Sequence, residues 1–203
     1  MKQYDRAYFE RWYRSRRRVV TDDAIRRRAH AALSIAEYFH GRPVRTVLDI
    51  GCGEGSWRAA LRSMRPRLRW TGVDPSEYVV RRFGRRRGIR LGSLANLGEL
   101  QLRGPFDLIV CSDVLHYLPT PEIRRGLPGL ARLLDGIAWL DAFTVDDAMD
   151  GDREDWHVRT GAQYRHLFAQ AGLTSVGVNC WTTRKWARER VGNLEGFTRR
   201  SDA

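Results

Sequence analysis

At 203 residues the chain is long enough to bury a core without disulfides or a structural metal, and one domain is expected. Cys52, Cys111 and Cys180 are odd in number and never form a C-x-x-C pair, which argues against a disulfide framework or a zinc site and for a reducing, cytoplasmic compartment. The net charge of +12 is uneven, with 23 basic and 9 acidic side chains in residues 1–90 and 13 and 15 in residues 91–203; because 34 of the 36 basic residues are arginine, it reads mainly as composition and solvated surface, with nucleic acid a lesser alternative partner.

The N-terminal stretch MKQYDRAYFERWYRSRRR lacks the continuous apolar run of a signal peptide, and nowhere do about 18 apolar residues run together, so no membrane partner is expected. From Tyr4 to Tyr38 the spacing is helical with a break at VVTDD, where Thr21 or Asp22 caps a helix from about Ala24 to His40; Gly41 and Pro43 end it. Short apolar runs then alternate with helical spacing: strands are expected at 46–51, 69–74, 89–93, 106–113 and 136–143. Strands apolar along their whole length imply a parallel sheet covered on both faces, hence an α/β, Rossmann-like, doubly wound fold with an N-terminal helical cover. Three spans follow: a cover over 1–42, a core over 43–145, and a loop, helix, last strand and tail over 146–203. In the last span TGAQYRHLFAQAG reads as a helix starting at Thr160 and stopped by Gly172, LTSVGVNCWTT as a single sixth strand, and the remainder as helix or irregular chain.

In such a sheet the ligand lies at the carboxyl ends of the strands, where strand order reverses. The first loop, Gly51-Cys52-Gly53-Glu54-Gly55, follows VLDI, but Ser56 stands where a dinucleotide fingerprint needs its third glycine, and no P-loop Lys-Ser/Thr follows. Asp49 and Glu54 beside the turn disfavour a phosphate and favour a cationic or zwitterionic ligand lying against bare glycine backbone. Asp74, ending the second strand in GVDPS, is placed to accept hydrogen bonds from both hydroxyls of a ribose; it also reads as a cap for the next helix. A nucleoside without phosphates but with an ammonium-bearing tail is S-adenosylmethionine.

Together, VLDIGCGEGSW, GVDPS and FDLIVCSDVLHYL resemble the class I S-adenosylmethionine-dependent methyltransferases over residues 44–145. The resemblance implies that Gly51, Cys52 and Gly53 contact the methionine part, that Asp49 orders the loop or reaches the amino group through water, and that Asp74 takes the ribose. Pro75 and Ser76 would lie beside adenine, with Ser93, Leu94, Ser112 and Asp113 completing the cofactor site. Where the family often has a Gly-Asp pair after the third strand, this chain has Gly92-Ser93-Leu94.

At the acceptor mouth His116 is a candidate general base, against the competing reading of a pocket wall, and Tyr117 lies beside it. Asp113 and Asp141 end adjacent strands, but Ala142 stands where catechol-type enzymes have an Asn, so no metal is expected. SDVLHY offers neither the NPPY of amino-group methylases nor the Pro-Cys of cytosine methylases. The stripe Tyr4, Tyr8, Phe9, Trp12 and Tyr13 has helical spacing, and Trp12 and Tyr13 are the leading candidates for a lid. The acidic loop Asp146–His157, with Trp156 and His157, is the candidate specificity element. The leading expectation is methyl transfer to a small molecule; the alternatives are an RNA or protein acceptor, or cofactor binding without catalysis.

Overall fold

The computed structural model describes residues 4–14, 21–148 and 154–191, apart from the side chains of Tyr13 and Arg14. A short helix α1, Arg6–Phe9, is capped by Asp5 and runs into a π-helical turn, Glu10–Arg14. Helix α2, Asp22–His40, starts where Thr21 Oγ1 accepts the Ala24 N–H at 3.1 Å and stops at Gly41, whose φ of +64° suits a residue without a β-carbon. Its buried face, Ile25, Ala29, Ala32, Leu33 and Ala36, follows the 3–4 residue spacing of an amphipathic helix.

Strands β1 (Thr46–Ile50), β2 (Arg69–Asp74), β3 (Ile89–Leu91), β4 (Phe106–Ser112) and β5 (Leu134–Asp141) alternate with helices α3 (Ser56–Met64), α4 (Glu77–Arg87) and α5 (Thr120–Leu133). With β6 (Leu173–Gly177) and β7 (Cys180–Thr183) they form one sheet in the order β3-β2-β1-β4-β5-β7-β6. The first five strands pair in parallel, and β7 runs antiparallel to β5 and β6. Helix α6, Gly161–Gln170, precedes β6, and α7, Arg184–Arg190, follows β7. Thr160, the expected start of this helix, forms a capping box with Gln163.

The expected single sixth strand is two. Gly177, Val178 and Asn179 all have positive φ, and a two-residue turn with both central residues left-handed matches the twist of a hairpin, so the chain reverses there. Of the last stretch, expected as helix or irregular chain, residues 184–190 form a helix, α7, capped by Thr183 Oγ1, and residues 192–203 lie outside the described residues.

Strand side chains alternate between two cores. Val47, Leu108, Val110, Ile137 and Trp139 pack with α2, α3, α4 and α7, whereas Leu48, Ile50, Ile109, Cys111 and Leu140 pack with α5 and α6. Helices therefore cover both faces, and the order reverses between β1 and β4, opening a crevice at the carboxyl ends of those strands. Asp107 locks the opposite end. Burial pushes its carboxyl up, but Arg42 and the backbone N–H groups of Arg45 and Thr46 overcome this and hold it at about 2.

Candidate active site

The crevice contains a cleft of about 830 Å³. On its β1–β2 side the chain turns sharply after Ile50: Gly51, Gly53 and Gly55 have φ of +68°, +52° and +89°, and the Gly51 N–H donates to the Val73 carbonyl at 2.8 Å. A β-carbon on Gly51 would collide with the Val114 side chain, so this glycine admits the β4–α5 segment as well as the turn. Asp74, 5% exposed, accepts from Gly53 N–H at 2.7 Å and Ser76 N–H at 2.9 Å. Burial raises its carboxyl to about 6 against those two donors. A carboxylate has about four acceptor positions, so two remain for a ligand.

Beneath the loop Asp49 is 2% exposed, and among the described residues neither its Oδ2 nor the Trp70 indole N–H has a hydrogen-bond partner. Burial pushes Asp49 up to about 8, moderated by the nearby indole, with Asp74 adding to the rise.

The N-terminal segment covers the cleft. Tyr4, Tyr8 and Phe9 line it, Phe9 stacks on Tyr78 with centroids 5.8 Å apart, and the Ser76 hydroxyl donates to the Tyr4 carbonyl. Ser76, rather than Asp74, caps α4, accepting the Val79 N–H at 3.2 Å. One hydroxyl thus starts α4 and tethers the cover.

On the β4–β5 side the geometry rests on long-range side-chain bonds. Arg28 reaches from α2 to Asp113 at 2.7 Å, Asp141 at 3.3 Å and Ser112 Oγ at 3.3 Å. Asp141 also accepts from Ser112 Oγ and the Trp139 indole, both at 3.1 Å, and from the Asp113 N–H at 3.0 Å. Burial and then Asp113 push the Asp141 carboxyl up, while Arg28 pulls it down. Asp113, with φ of +58°, is held in the left-handed region between the two. Further along, Arg159 is 5% exposed and donates to the carbonyls of Leu115, Leu118 and His157 and to the hydroxyls of Thr120 and Tyr164. It joins the segment after β5 to the segment after β4.

The cleft wall carries six carboxylates, Asp5, Asp74, Glu77, Asp113, Glu122 and Asp155, against Arg81 and His157. That balance suits a ligand with net positive charge and opposes one with phosphates. An adenosyl group on an amino-acid tail fits the volume and the spare acceptor positions of Asp74.

Residues 48–136 match the model of a family described as a methyltransferase domain. The match spans less than half of the chain. The chain is similar to a release factor glutamine methyltransferase of Rhodospirillum rubrum, 32% identical over 172 residues, covering 81% of this chain and 47% of that one. It is also similar to an enniatin synthase of Fusarium equiseti, 29% identical over 167 residues, covering 77% of this chain and 5% of that one. The chain thus spans about half or less of the length of these relatives. Its fold is shared with the plantazolicin methyltransferase BamL, in a structure with S-adenosylhomocysteine, at a TM-score of 0.60 and 18% identity over 83% of this chain and 68% of that one. The seven-stranded sheet is that of the class I methyltransferases.

Of the residues singled out in the sequence, Gly51, Gly53, Asp74, Pro75, Ser76, Ser93, Leu94, Asp113, Tyr117 and His157 converge on the cleft wall. Asp49, Cys52 and Ser112 do not: Asp49 and Cys52 are buried under the loop, and Ser112 is bonded into the Arg28 cluster. Burial drives the Cys52 thiol far above its ordinary range. Glu54 is also absent from the wall; its carbonyl accepts from Arg87. His116 is 1% exposed and packed among Tyr117, Phe143 and Trp156, outside the cleft wall. Trp156 lines a neighbouring cavity instead.

Trp12 does not line the cleft, and the side chain of Tyr13 lies outside the described residues. The π-helical turn begins at Glu10, and its wider repeat shifts the phase of the aromatic stripe, so Tyr4, Tyr8 and Phe9 take the place expected of Trp12. Part of the acidic loop, residues 149–153, lies outside the described residues; Asp155 and His157 reach the wall. Arg28 and Arg159 were missed. The available signal was position: Arg28 borders the apolar face of α2 beside Ile25 and Ala29, and Arg159 immediately precedes the cap of α6.

Proposed function

We propose that the chain is an S-adenosylmethionine-dependent methyltransferase acting on a small-molecule acceptor, with its three spans working as one unit. The observation that carries this reading is Asp74, a buried carboxylate at the end of β2 fixed by Gly53 and Ser76 with acceptor capacity to spare. Bound S-adenosylmethionine supplies an electrophilic methyl group. Asp74 would accept from the ribose hydroxyls, Pro75, Ser93 and Leu94 would flank the purine, and Gly51 and Gly53 would border the amino-acid part. Tyr4, Tyr8 and Phe9 would exclude water from that end.

The acceptor would enter against Tyr117, Asp155 and His157, where binding and alignment account for most of the required catalysis. His157, on the cleft wall, replaces His116 as the imidazole placed to take a proton from an O–H or N–H acceptor. A cleft covered by aromatic side chains supports an acceptor of small size.

A macromolecular acceptor is the second reading. It is favoured by Arg58, Arg62, Arg86 and Arg87 on α3 and α4, where burial and then mutual repulsion lower Arg58. The test is calorimetry with S-adenosylhomocysteine, followed by transfer of labelled methyl from S-adenosylmethionine to pooled small molecules, RNA and protein. Tight binding with label in the small-molecule pool is expected. No binding refutes the cofactor; label only in RNA or protein refutes the acceptor class; binding without transfer to any pool refutes the enzyme.

A further inference from the structure

We propose that a second cavity beside the cleft is an anion subsite that anchors a carboxylate or phosphate group carried by the methyl acceptor. The proposal rests on the methyltransferase reading for its ligand, whereas the charge pattern stands by itself. This cavity, of about 630 Å³, lies between the start of α5, the segment Trp156–Arg159 and α6. His157 belongs to both walls, so the two spaces adjoin.

The charge changes sign across His157. The cleft presents six carboxylates, while the second cavity presents Arg124, His157, Arg159 and His166 and, among the described residues, no carboxylate. Arg159 strengthens the contrast. Its five partners are carbonyls and hydroxyls, and among the described residues it makes no ion pair, so its charge is held in a buried place without neutralisation. A fixed, already hydrogen-bonded guanidinium contributes field rather than direct bonds, which leaves direct contact to Arg124.

Arg124 is exposed at the rim and, among the described residues, makes no hydrogen bond or ion pair, which leaves its donors for an anion. Trp156 lines the same cavity, and its indole N–H, shielded from water, has no acceptor among the described residues. The α6 N-terminus offers little, because Thr160 and Gln163 already close it. An acceptor spanning the two spaces would direct its nucleophilic end past His157 to the methyl donor and its anionic end to Arg124. That sets its class: a small molecule bearing a carboxylate or phosphate remote from the methylated atom.

The test titrates inorganic phosphate, and separately acetate, into the full chain holding S-adenosylhomocysteine, following the indole N–H resonance of Trp156 assigned with Trp156→Phe. Saturable shifts with dissociation constants of roughly 1–10 mM are expected for at least one anion. Saturation by phosphate alone or acetate alone identifies which group the subsite holds. Arg124→Gln should weaken that binding about fivefold or more, Arg124→Lys less, and neither should change affinity for S-adenosylhomocysteine. The proposal falls if neither anion saturates below about 100 mM, or if Arg124→Gln binds as wild type does. If S-adenosylhomocysteine itself fails to bind, the methyltransferase reading falls, and titration of the ligand-free chain still decides whether the anion site exists.

Discussion

The donor and acceptor sides of the cleft are built by different means. On the donor side, the turn after β1 is held by backbone bonds and glycines, and one carboxylate, Asp74, bridges Gly53 and Ser76. On the acceptor side, the segments after β4 and β5 are held by two arginines bonding across long stretches of chain, Arg28 to Asp113 and Arg159 to Leu115 and Leu118. The first arrangement fixes a ligand-sized gap with few replaceable parts. The second leaves the surrounding positions free to vary, because shape depends on the clamps rather than on the residues between them.

The largest effect should come from breaking the donor side. Asp74→Ala removes the acceptors for ribose and loosens Gly53 and Ser76, so affinity for S-adenosylhomocysteine should fall about a hundredfold by calorimetry. In the wild type, affinity should be flat above pH 7 and fall as pH drops through about 6, where the Asp74 carboxyl gains a proton and loses an acceptor. An Asp74→Asn protein that reproduced the wild-type pH profile would assign the titration to another group.

Next in size is the acceptor clamp. Arg159→Met keeps length and apolar stem but strands three carbonyls and removes the bond between the two segments, which should cost about 3 kcal/mol in chemical unfolding. Affinity for S-adenosylhomocysteine should be unchanged. If it falls in parallel with stability, the two sides are one cooperative unit and the contrast between them fails.

The cover gives a smaller and sharper comparison. Phe9→Ala removes a cleft-lining ring stacked on Tyr78 and should weaken S-adenosylhomocysteine about tenfold, whereas Trp12→Ala should leave it within about twofold. Equal losses would return Trp12 to the lid.

The different construction also explains what could be read from the sequence. The bonds that hold the donor-side turn, Gly51 to Val73 and Asp74 to Gly53 and Ser76, join residues of one loop or two adjacent strands, so glycine spacing and the acids at β1 and β2 carried the information, and alternating apolar runs carried the sheet. Arg28 is one of 34 arginines, and its partner lies 85 residues away, so nothing local distinguishes it. His116 followed β4 where a base was wanted, but burial is a tertiary property, and its rotation into an aromatic cluster has no periodic signature. Val178 concealed the hairpin: a β-branched residue prolongs an apparent strand, although here it occupies the left-handed region beside Asn179. Gly51 carries a second constraint that glycine spacing does not reveal, since its missing side chain makes room for Val114 as well as bending the loop.

The smallest expected effect tests whether any donor-side carboxylate besides Asp74 takes part in recognition. An Asp in the unfolded chain titrates near 3.8, and burial in the fold raises Asp49 to about 8. Between those values the folded state holds a proton that the unfolded state has lost, so this residue makes stability decline as pH rises from about 4 to about 8, with no further change above. Asp49→Asn carries no titrating proton and should remove that slope. The two ligand-free proteins should melt alike near pH 5, and the variant should be the more stable by about 1 kcal/mol at pH 6, with the gap widening further toward pH 8. Parallel pH curves would place the decline elsewhere. S-adenosylhomocysteine affinity measured on the same samples completes the comparison. Unchanged affinity leaves the amino-acid tail to the glycine backbone, and a loss of about tenfold gives Asp49 a share in binding the ammonium group from beneath the loop.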